Sequence, residues 1–420
     1  MNTNPGKHLR KTQNEIKLLN LIREEGPISR SEIAKRIRIS KVTAWEIIGR
    51  LMESGFIVDT GQGESTTRGG KRPRLLEINA GNGYVVGVEF RREYSKIALA
   101  NLRSDVQTIK EIPHHAGAAI DEVLPRLFDH IDELLEAPGI GRDKLISFGI
   151  GLPGFVDYDK GELAFADTLK GWANAPLTAR FHDRYHVPVF IENDVNAITL
   201  GECLLGAGQG YENVACIWIG EGIGAGLLIN GKIVRGEFST AGEIGYLNIN
   251  NFYIDANQVR HLYDDQQFMG DILSEEHLLH VLLNTVPNGE HTGIHTDPRH
   301  VFESCFQRAH QGDPLVRAIF DEYIFLLANI CLIFIKMVNT GVIVLNGHVF
   351  DHSEYIVQGV RTRVKEGMMN IPFRPTKIVA GELGDQAGVK GTISLALQAI
   401  YGSKVILNSR RKKTPITETG

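Results

Sequence analysis

The chain has 420 residues, 43% apolar and 23% charged, the composition of a soluble globular protein with room for two or three domains at roughly 150 residues each. Its four cysteines (Cys203, Cys216, Cys305 and Cys331) are far apart and form no C-x-x-C pair, which argues against a disulfide framework or a cysteine-rich zinc site and suits a reducing cytoplasm. The net charge of −5 is uneven, since residues 1–80 hold 15 Lys/Arg against 9 Asp/Glu (+6) and the rest of the chain is −11; a basic end that meets a polyanion, or chance clustering on a solvated face, would give this asymmetry.

The first residues, MNTNPGKHLRKTQ, lack the apolar core of a signal peptide. Residues 12–25 place Ile16, Leu18, Leu19, Leu21 and Ile22 on one broad face at helical spacing. After Gly26-Pro27, a second helix is expected over 28–34, capped by Ser29 or Ser31. A turn at Arg38-Ile39-Ser40 leads to a third helix, Lys41 to Ser54. Helix, tight turn and helix at this spacing form a helix-turn-helix, whose second member enters the major groove. Lys41, Thr43, Glu46 and Arg50 are placed to face DNA, while Ala44, Ile47, Ile48 and Leu51 face the core. Trp45 fits either role. FIVDTG and RLLEIN read as two strands joined by QGESTTRGGKRP. That segment is a wing whose Arg68, Lys71 and Arg72 can track phosphates or enter a minor groove; the plainer alternative is a solvated hairpin.

After Asn82 strands and helices mix. YVVGVEF, SKIALANL and VQTIKEI read as successive strands, followed by a helix near 118–136 and the strands LISFGIGLPG and VPVFIEND. The order partly recurs from VACIWIGEG through AGLLING and KIVRG to GVIVLNG and KIVAGEL, with several helices between roughly 255 and 339. Two similarly ordered α/β halves imply two lobes with a ligand cleft between them. The apolar run Tyr323–Ile335 is shorter than the roughly 18 residues of a membrane span and reads as a buried helix. Gly220, Gly222, Gly224 and Gly226 fall within seven residues after a strand, as in loops that bring backbone amides to a phosphate, yet Glu221 puts a carboxylate among them. The final basic run, Arg410 to Lys413, reads as a solvated tail or a supplementary DNA contact.

Behind the helix-turn-helix and wing come GLPGFVD (151–157), IENDVNAITLGE (191–202), GEGIGAGLLINGKIVRG (220–236), AGEIGY (241–246), VIVLNG (342–347) and LGDQAGVKG (383–391). This order resembles the ROK proteins, a family of sugar-responsive repressors and sugar kinases, and within it the xylose-repressor-like regulators with a winged head. The resemblance covers nearly the whole chain. It implies an α/β fold in which an N-terminal winged helix-turn-helix precedes a two-lobed, actin-like (duplicated ribonuclease-H-like) domain, usually assembled as a dimer or tetramer. The expected division is 1–80 for the head, 83–195 for the first lobe, 196–400 for the second lobe with a C-terminal helix returning to the first, and 401–420 for a basic tail.

The resemblance also assigns residues. Asp194 matches the aspartate that takes the sugar-hydroxyl proton in family kinases, Asn193 matches a sugar-hydroxyl ligand, and Glu243 matches a further one. The pair Asn193–Asp194 suits a polyol even without catalysis, since an amide donates and accepts while a carboxylate accepts. The phosphate loops depart from the kinase pattern. EFRRE (89–93) stands where family kinases have a glycine-rich turn, and Glu221 stands where threonine is usual. A carboxylate a few ångströms from a triphosphate is repelled by roughly 1–4 kcal/mol per charge pair, so no useful kinase activity is expected. Tyr246 replaces the histidine that opens a zinc loop in many relatives, residues 247–265 contain no cysteine, and His261, His277 and His280 lack a replacement spacing. No metal and no cofactor are expected; Tyr246 could contact the sugar or belong to the core. The leading expectation is a cytoplasmic repressor of carbohydrate-metabolism genes that binds operator DNA and a sugar effector in the cleft. A sugar kinase with an attached DNA-binding head and a regulator controlled by a protein partner are the alternatives.

Overall fold

The computed structural model describes residues 13–62, 72–137, 140–249, 259–262, 268–285, 298–350, 354–368 and 375–402. Two compact units divide the chain: residues up to Leu200 together with those from Gly388 onward, and Gly201–Ala387.

The first unit opens with α1 (Gln13–Glu25), which buries Leu18, Leu19 and Ile22. Ile28–Ser29 form a short strand, β1, so α2 (Arg30–Ile37) starts two residues later than the sequence suggests. The Ser29 hydroxyl accepts from the Glu32 amide at 3.2 Å and caps α2. Arg38 ends that helix in the left-handed region, at φ 57°. Ser40 then caps α3 (Lys41–Glu53), its hydroxyl accepting from the Thr43 amide at 3.0 Å. β2 (Ile57–Gln62) and β3 (Arg74–Ile78) complete an antiparallel sheet of order β1-β3-β2. The expected wing lies between β2 and β3, and its residues 63–71, with Arg68 and Lys71, fall outside the described residues.

The α/β part of this unit runs β4 (Tyr84–Phe90), β5 (Tyr94–Asn101), β6 (Val106–Pro113), α4 (Ile120–Leu135), β7 (Leu145–Leu152), the hairpin β8 (Phe155–Asp157) and β9 (Glu162–Phe165), α5 (Leu177–Tyr185), β10 (Val189–Asn193) and α6 (Asp194–Leu205). Its sheet order is β10-β7-β4-β5-β6, with β4, β5 and β6 antiparallel and β7 and β10 parallel to β4. Strands covered on both faces read as near-continuous apolar runs, and β4 shows why. Val86, Val88 and Phe90 face a core shared with Val123, Leu127 and Ile131 of α4. Val85, of opposite parity, faces a second core that includes the head.

The second unit repeats the pattern with β11 (Val214–Ile219), β12 (Ile223–Ile229), β13 (Lys232–Ile233), α7 (Met269–Ile272), α8 (Glu275–Thr285), α9 (Pro298–Gln311), α10 (Pro314–Val338), β14 (Val342–Asn346), α11 (Glu354–Gly367) and β15 (Lys377–Ala380). Its sheet order, β13-β12-β11-β14-β15, again joins three antiparallel strands to two parallel ones. α10 is long and apolar enough to cross a membrane. It is the central core helix of this unit, however, with Phe320, Tyr323, Leu327, Ile330 and Phe334 buried.

The last helix, α12 (Ala387–Tyr401), packs in the first unit. Glycines let it approach: a Cβ on Gly87 of β4 would lie 2.3 Å from the Thr392 hydroxyl, and one on Gly149 of β7 would lie 2.1 Å from the Thr392 carbonyl oxygen. Gly87 and Gly149 are register partners, so they open one window in the sheet. Beyond it, Ile393, Leu397, Ile400 and Tyr401 share a core with Leu18, Ile22, Ile47 and Leu51 of the head. Burying each of these large apolar side chains stabilises by about 1.5–3 kcal/mol. The head is therefore packed onto the first α/β unit through α12.

Candidate effector and DNA-binding sites

Asn193 ends β10 and Asp194 begins α6, at the carboxyl end of a parallel strand, where open α/β sheets hold ligands. The Asn193 Oδ1 accepts from the amides of Val195 (2.9 Å) and Asn196 (3.1 Å), and its Nδ2 donates to the Gly154 carbonyl at 3.0 Å. Its amide group thus fixes the start of α6 and has one N–H left for a ligand. Asp194 is 5% exposed. Its Oδ1 accepts from the Val195 amide at 2.9 Å, and its Oδ2 accepts from Arg91 Nη1 at 3.0 Å.

Arg91 follows β4 directly, and the bend there is closed by its own amide donating to the Tyr94 carbonyl at 2.9 Å. Its guanidinium also donates to Glu89 Oε1, from Nε at 2.8 Å and Nη2 at 2.5 Å. One guanidinium therefore joins two buried carboxylates. Burial disfavours the Arg91 cation, but Glu89 and Asp194 outweigh that cost and its pKa is raised. Burial raises the Asp194 pKa, Arg91 pulls it down and Glu89 adds to the rise; the net shift is upward. Arg91 lies in EFRRE (89–93), the segment matched above to the glycine-rich turn of family kinases. What sequence reading missed is that it reaches the residue matched to the kinase base. The available signal was an arginine two residues after an acid at a buried strand end.

Glu89 touches a further element. A Cβ on Gly388, in the first turn of α12, would lie 2.1 Å from Glu89 Oε1, so helix and carboxylate are in close apposition. At the other end of α12, the Tyr401 hydroxyl donates to the Leu102 carbonyl at 2.7 Å. Arg23 of α1 lies over the Tyr401 ring at 4.2 Å, and Asn20 Nδ2 donates to the Tyr401 carbonyl at 2.9 Å. Burial pushes the Tyr401 phenol up to about 12, with Arg23 opposing.

In the second unit, Glu243 precedes a single 3₁₀ turn, Ile244–Tyr246, of which Tyr246 is the last residue. The A-G-E segment is held against β12, because the Ala225 amide donates to the Gly242 carbonyl at 2.8 Å. Gly242, at φ 94°, leaves no room for a side chain: a Cβ would sit 1.7 Å from the Ala225 carbonyl oxygen. Tyr246 is 57% exposed, which places it on the surface rather than in the core. The glycine-rich stretch is a tight hairpin. Ile219 pairs with Ile223 across a turn that carries exposed Glu221 at its tip, and Gly224 and Gly226 lie inside β12 opposite Trp218 and Cys216.

Two of the four glycines are thus strand residues, not loop residues. A second anchor went unnoticed in the sequence. Buried Glu202 accepts from the amides of Ala207 (2.9 Å), Glu382 (3.2 Å) and Leu383 (3.1 Å) and from Asn346 Nδ2 (2.8 Å), fixing the loop before α12.

Most of the segment matched to the zinc loop, residues 250–258 and 263–267, lies outside the described residues. Among the described residues no group of three or more His, Cys, Asp or Glu is placed to hold a metal ion. His261 is instead bound to a carboxylate, its Nδ1 donating to Glu322 Oε1 at 2.5 Å while its amide donates to Oε2 at 2.8 Å. His277 Nε2 donates to the Leu262 carbonyl at 2.7 Å.

In the head, Lys41, Trp45, Glu46 and Arg50 are exposed on α3 and Thr43 is half-buried. The Thr43 hydroxyl shares a 2.8 Å hydrogen bond with that of Ser40. Arg50 donates to Glu15 Oε1 of α1 from Nε (3.2 Å) and Nη2 (2.8 Å), so a phosphate would have to compete for it. Arg72 is exposed beside β3.

The model of the ROK family matches residues 85–399, and a model described as winged helix-turn-helix DNA-binding matches residues 11–58. The chain is 27% identical over 401 residues to the xylose repressor of Caldicellulosiruptor bescii, covering 93% of this chain and 97% of that protein. Among solved structures it is similar to a ROK family transcriptional regulator, a homologue of the Escherichia coli MLC protein, with a TM-score of 0.76 and 23% identity over 94% of this chain and 98% of the other. It is also similar to the ROK family glucokinase of Streptomyces griseus, solved with glucose and AMPPNP, with a TM-score of 0.60 and 23% identity. That likeness covers 75% of this chain and all (100%) of the glucokinase.

Proposed function

The chain belongs to the ROK family, and on that premise we propose that it is a transcriptional repressor whose winged head binds operator DNA under the control of a sugar. The observation that carries this reading is the path through the first unit. Asp194 holds Arg91, Arg91 holds Glu89, Glu89 abuts the first turn of α12, and α12 carries Tyr401 against Arg23 and Asn20 of the head. A 15-residue helix spans about 22 Å.

Asn193, Asp194, Glu243 and Tyr246 are the proposed sugar contacts. A sugar hydroxyl that donates to Asp194 must share or displace the Arg91 guanidinium, which changes how Glu89 meets α12. A ligand shifts such an equilibrium only by its differential affinity for the two arrangements. The proposed DNA contacts are Lys41, Thr43, Glu46 and Arg50 on α3 and Arg68, Lys71 and Arg72 on the wing. The regulator acts in the cytoplasm as a homodimer or tetramer, and a symmetric pair of heads favours a roughly palindromic operator. The name of the Caldicellulosiruptor relative makes xylose the first sugar to test.

No phosphoryl transfer is proposed. Arg91 already neutralises the carboxylate that a kinase needs as a base, and Glu221 sets a negative charge at the tip of the second glycine turn. Calorimetry against monosaccharides and their phosphates tests the reading: saturable binding lost in Asp194→Ala is expected, and silence across the panel would favour control by a protein partner.

A further inference from the structure

α3 presents a face that charge alone does not describe. Its buried side is Ala44, Ile47, Ile48 and Leu51. The opposite stripe, at helical spacing, is Val42, Trp45, Glu46, Gly49 and Glu53, with Lys41 and Arg50 at its edges. Val42 is 68% and Trp45 40% exposed, so two large apolar side chains point outward from the first two turns. Among the described residues no atom lies within 4 Å of a Cβ built on Gly49, one turn further along the same stripe. A glycine in the middle of an exposed helix weakens that helix, and its benefit is clearance for a closely approaching surface. Arg50, the strongest candidate for a base contact by chemistry, is held by Glu15, and the Thr43 hydroxyl is engaged by Ser40.

Resting on the reading of the head as a DNA-binding module, we propose that Val42 and Trp45 are specificity-determining residues that read thymine methyl groups in the major groove. The first residues of a recognition helix are those that reach base edges. Of the groups displayed in the major groove, only the thymine C5 methyl is apolar, and it is recognised by apolar contact. Val42 and Trp45 therefore select A·T pairs at fixed positions of each half-site. Lys41 beside them supplies a phosphate or guanine contact, and Glu46 accepts from a cytosine amino group. Gly49 gives the helix room to seat in the groove.

The test uses the full chain and duplexes enriched by it from a random pool. In the best duplex each thymidine is replaced singly by deoxyuridine, which removes only the methyl group, and binding is followed by fluorescence anisotropy at fixed salt. One or two positions per half-site should lose about fourfold in affinity, the equivalent of one buried methyl. In Trp45→Ala or Val42→Ala, thymidine and deoxyuridine duplexes should bind equally at those positions, while affinity for an unrelated duplex and the thermal transition stay unchanged. Trp45→Phe should keep part of the discrimination. Equal binding of thymidine and deoxyuridine duplexes by the unsubstituted chain would overturn the inference. So would discrimination that survives in both alanine variants. Enrichment of no duplex at all would instead sink the DNA-binding reading itself.

Discussion

Arg91 donates to Asp194 at 3.0 Å while holding Glu89 on its other edge. The residue matched to the kinase base is thus half of a buried ion pair. Breaking such a pair by removing one partner leaves charge stranded and costs about 3–5 kcal/mol. Arg91→Met should lower stability by that order at pH 7, and Asp194→Asn added to it should recover part of the loss. The sign with pH follows from burial, which already holds the Asp194 pKa up. Without Arg91 its carboxyl protonates more readily, so the penalty should shrink as pH falls. Denaturant unfolding at several pH values measures this; a pH-independent penalty would remove the pair from the energetics.

Phosphoryl transfer should be absent. Sugar-dependent ADP formation should stay at background in the unaltered chain, and Asp194→Ala should change nothing. Robust turnover abolished by that substitution would make the protein a kinase.

Tyr401 closes the route from α12 to the head. Tyr401→Phe removes one hydrogen bond, to the Leu102 carbonyl, and should cost about 1 kcal/mol. Tyr401→Ala also removes the ring beneath Arg23. It should uncouple the head, leaving sugar binding intact while operator affinity no longer responds to sugar. Calorimetry and anisotropy on the same preparation separate the two effects, and an unchanged response would exclude Tyr401 from the coupling.

Asp313 caps α10, its Oδ1 accepting from the amides of Leu315 (3.0 Å) and Val316 (3.2 Å). A hydrogen bond from Arg308 first, and those amides next, hold its pKa below the ordinary 3.8. A depressed carboxylate contributes stability above its unfolded pKa, and that contribution fades as pH falls through the lower folded value. Asp313→Ala should cost about 1 kcal/mol at pH 7, and the difference from the unaltered chain should narrow below pH 3.8. Thermal unfolding across that range checks it.

On the wing, Arg72→Ala should weaken DNA binding and reduce the salt slope by about one counterion. An unaltered slope would take Arg72 off the phosphate path.

The head was legible because its signals are local: Ser29, one of the two hydroxyls offered as a cap, does cap α2, and α3 follows the expected span closely. The duplicated sheets were legible as apolar runs in a recurring order. The glycine stretch was legible only in part: AGLLING reads as a strand from Ala225, but strand register, which sequence does not show, also places Gly224 in β12 opposite Trp218. Trp45 was open because a helix with an apolar residue at its edge can turn either way; burial of Ala44 and Ile48 decided it. Arg91–Asp194 and Tyr401–Arg23 were beyond reach, since each joins residues separated by a hundred positions or more whose meeting depends on sheet and helix packing.

Operator affinity with and without saturating sugar tests the central claim most directly, using the full chain, an enriched duplex and a sugar found by calorimetry. Sugar should weaken operator binding, and operator should weaken sugar binding by the same factor, as linkage requires. Identical operator affinity at zero and saturating sugar would contradict it.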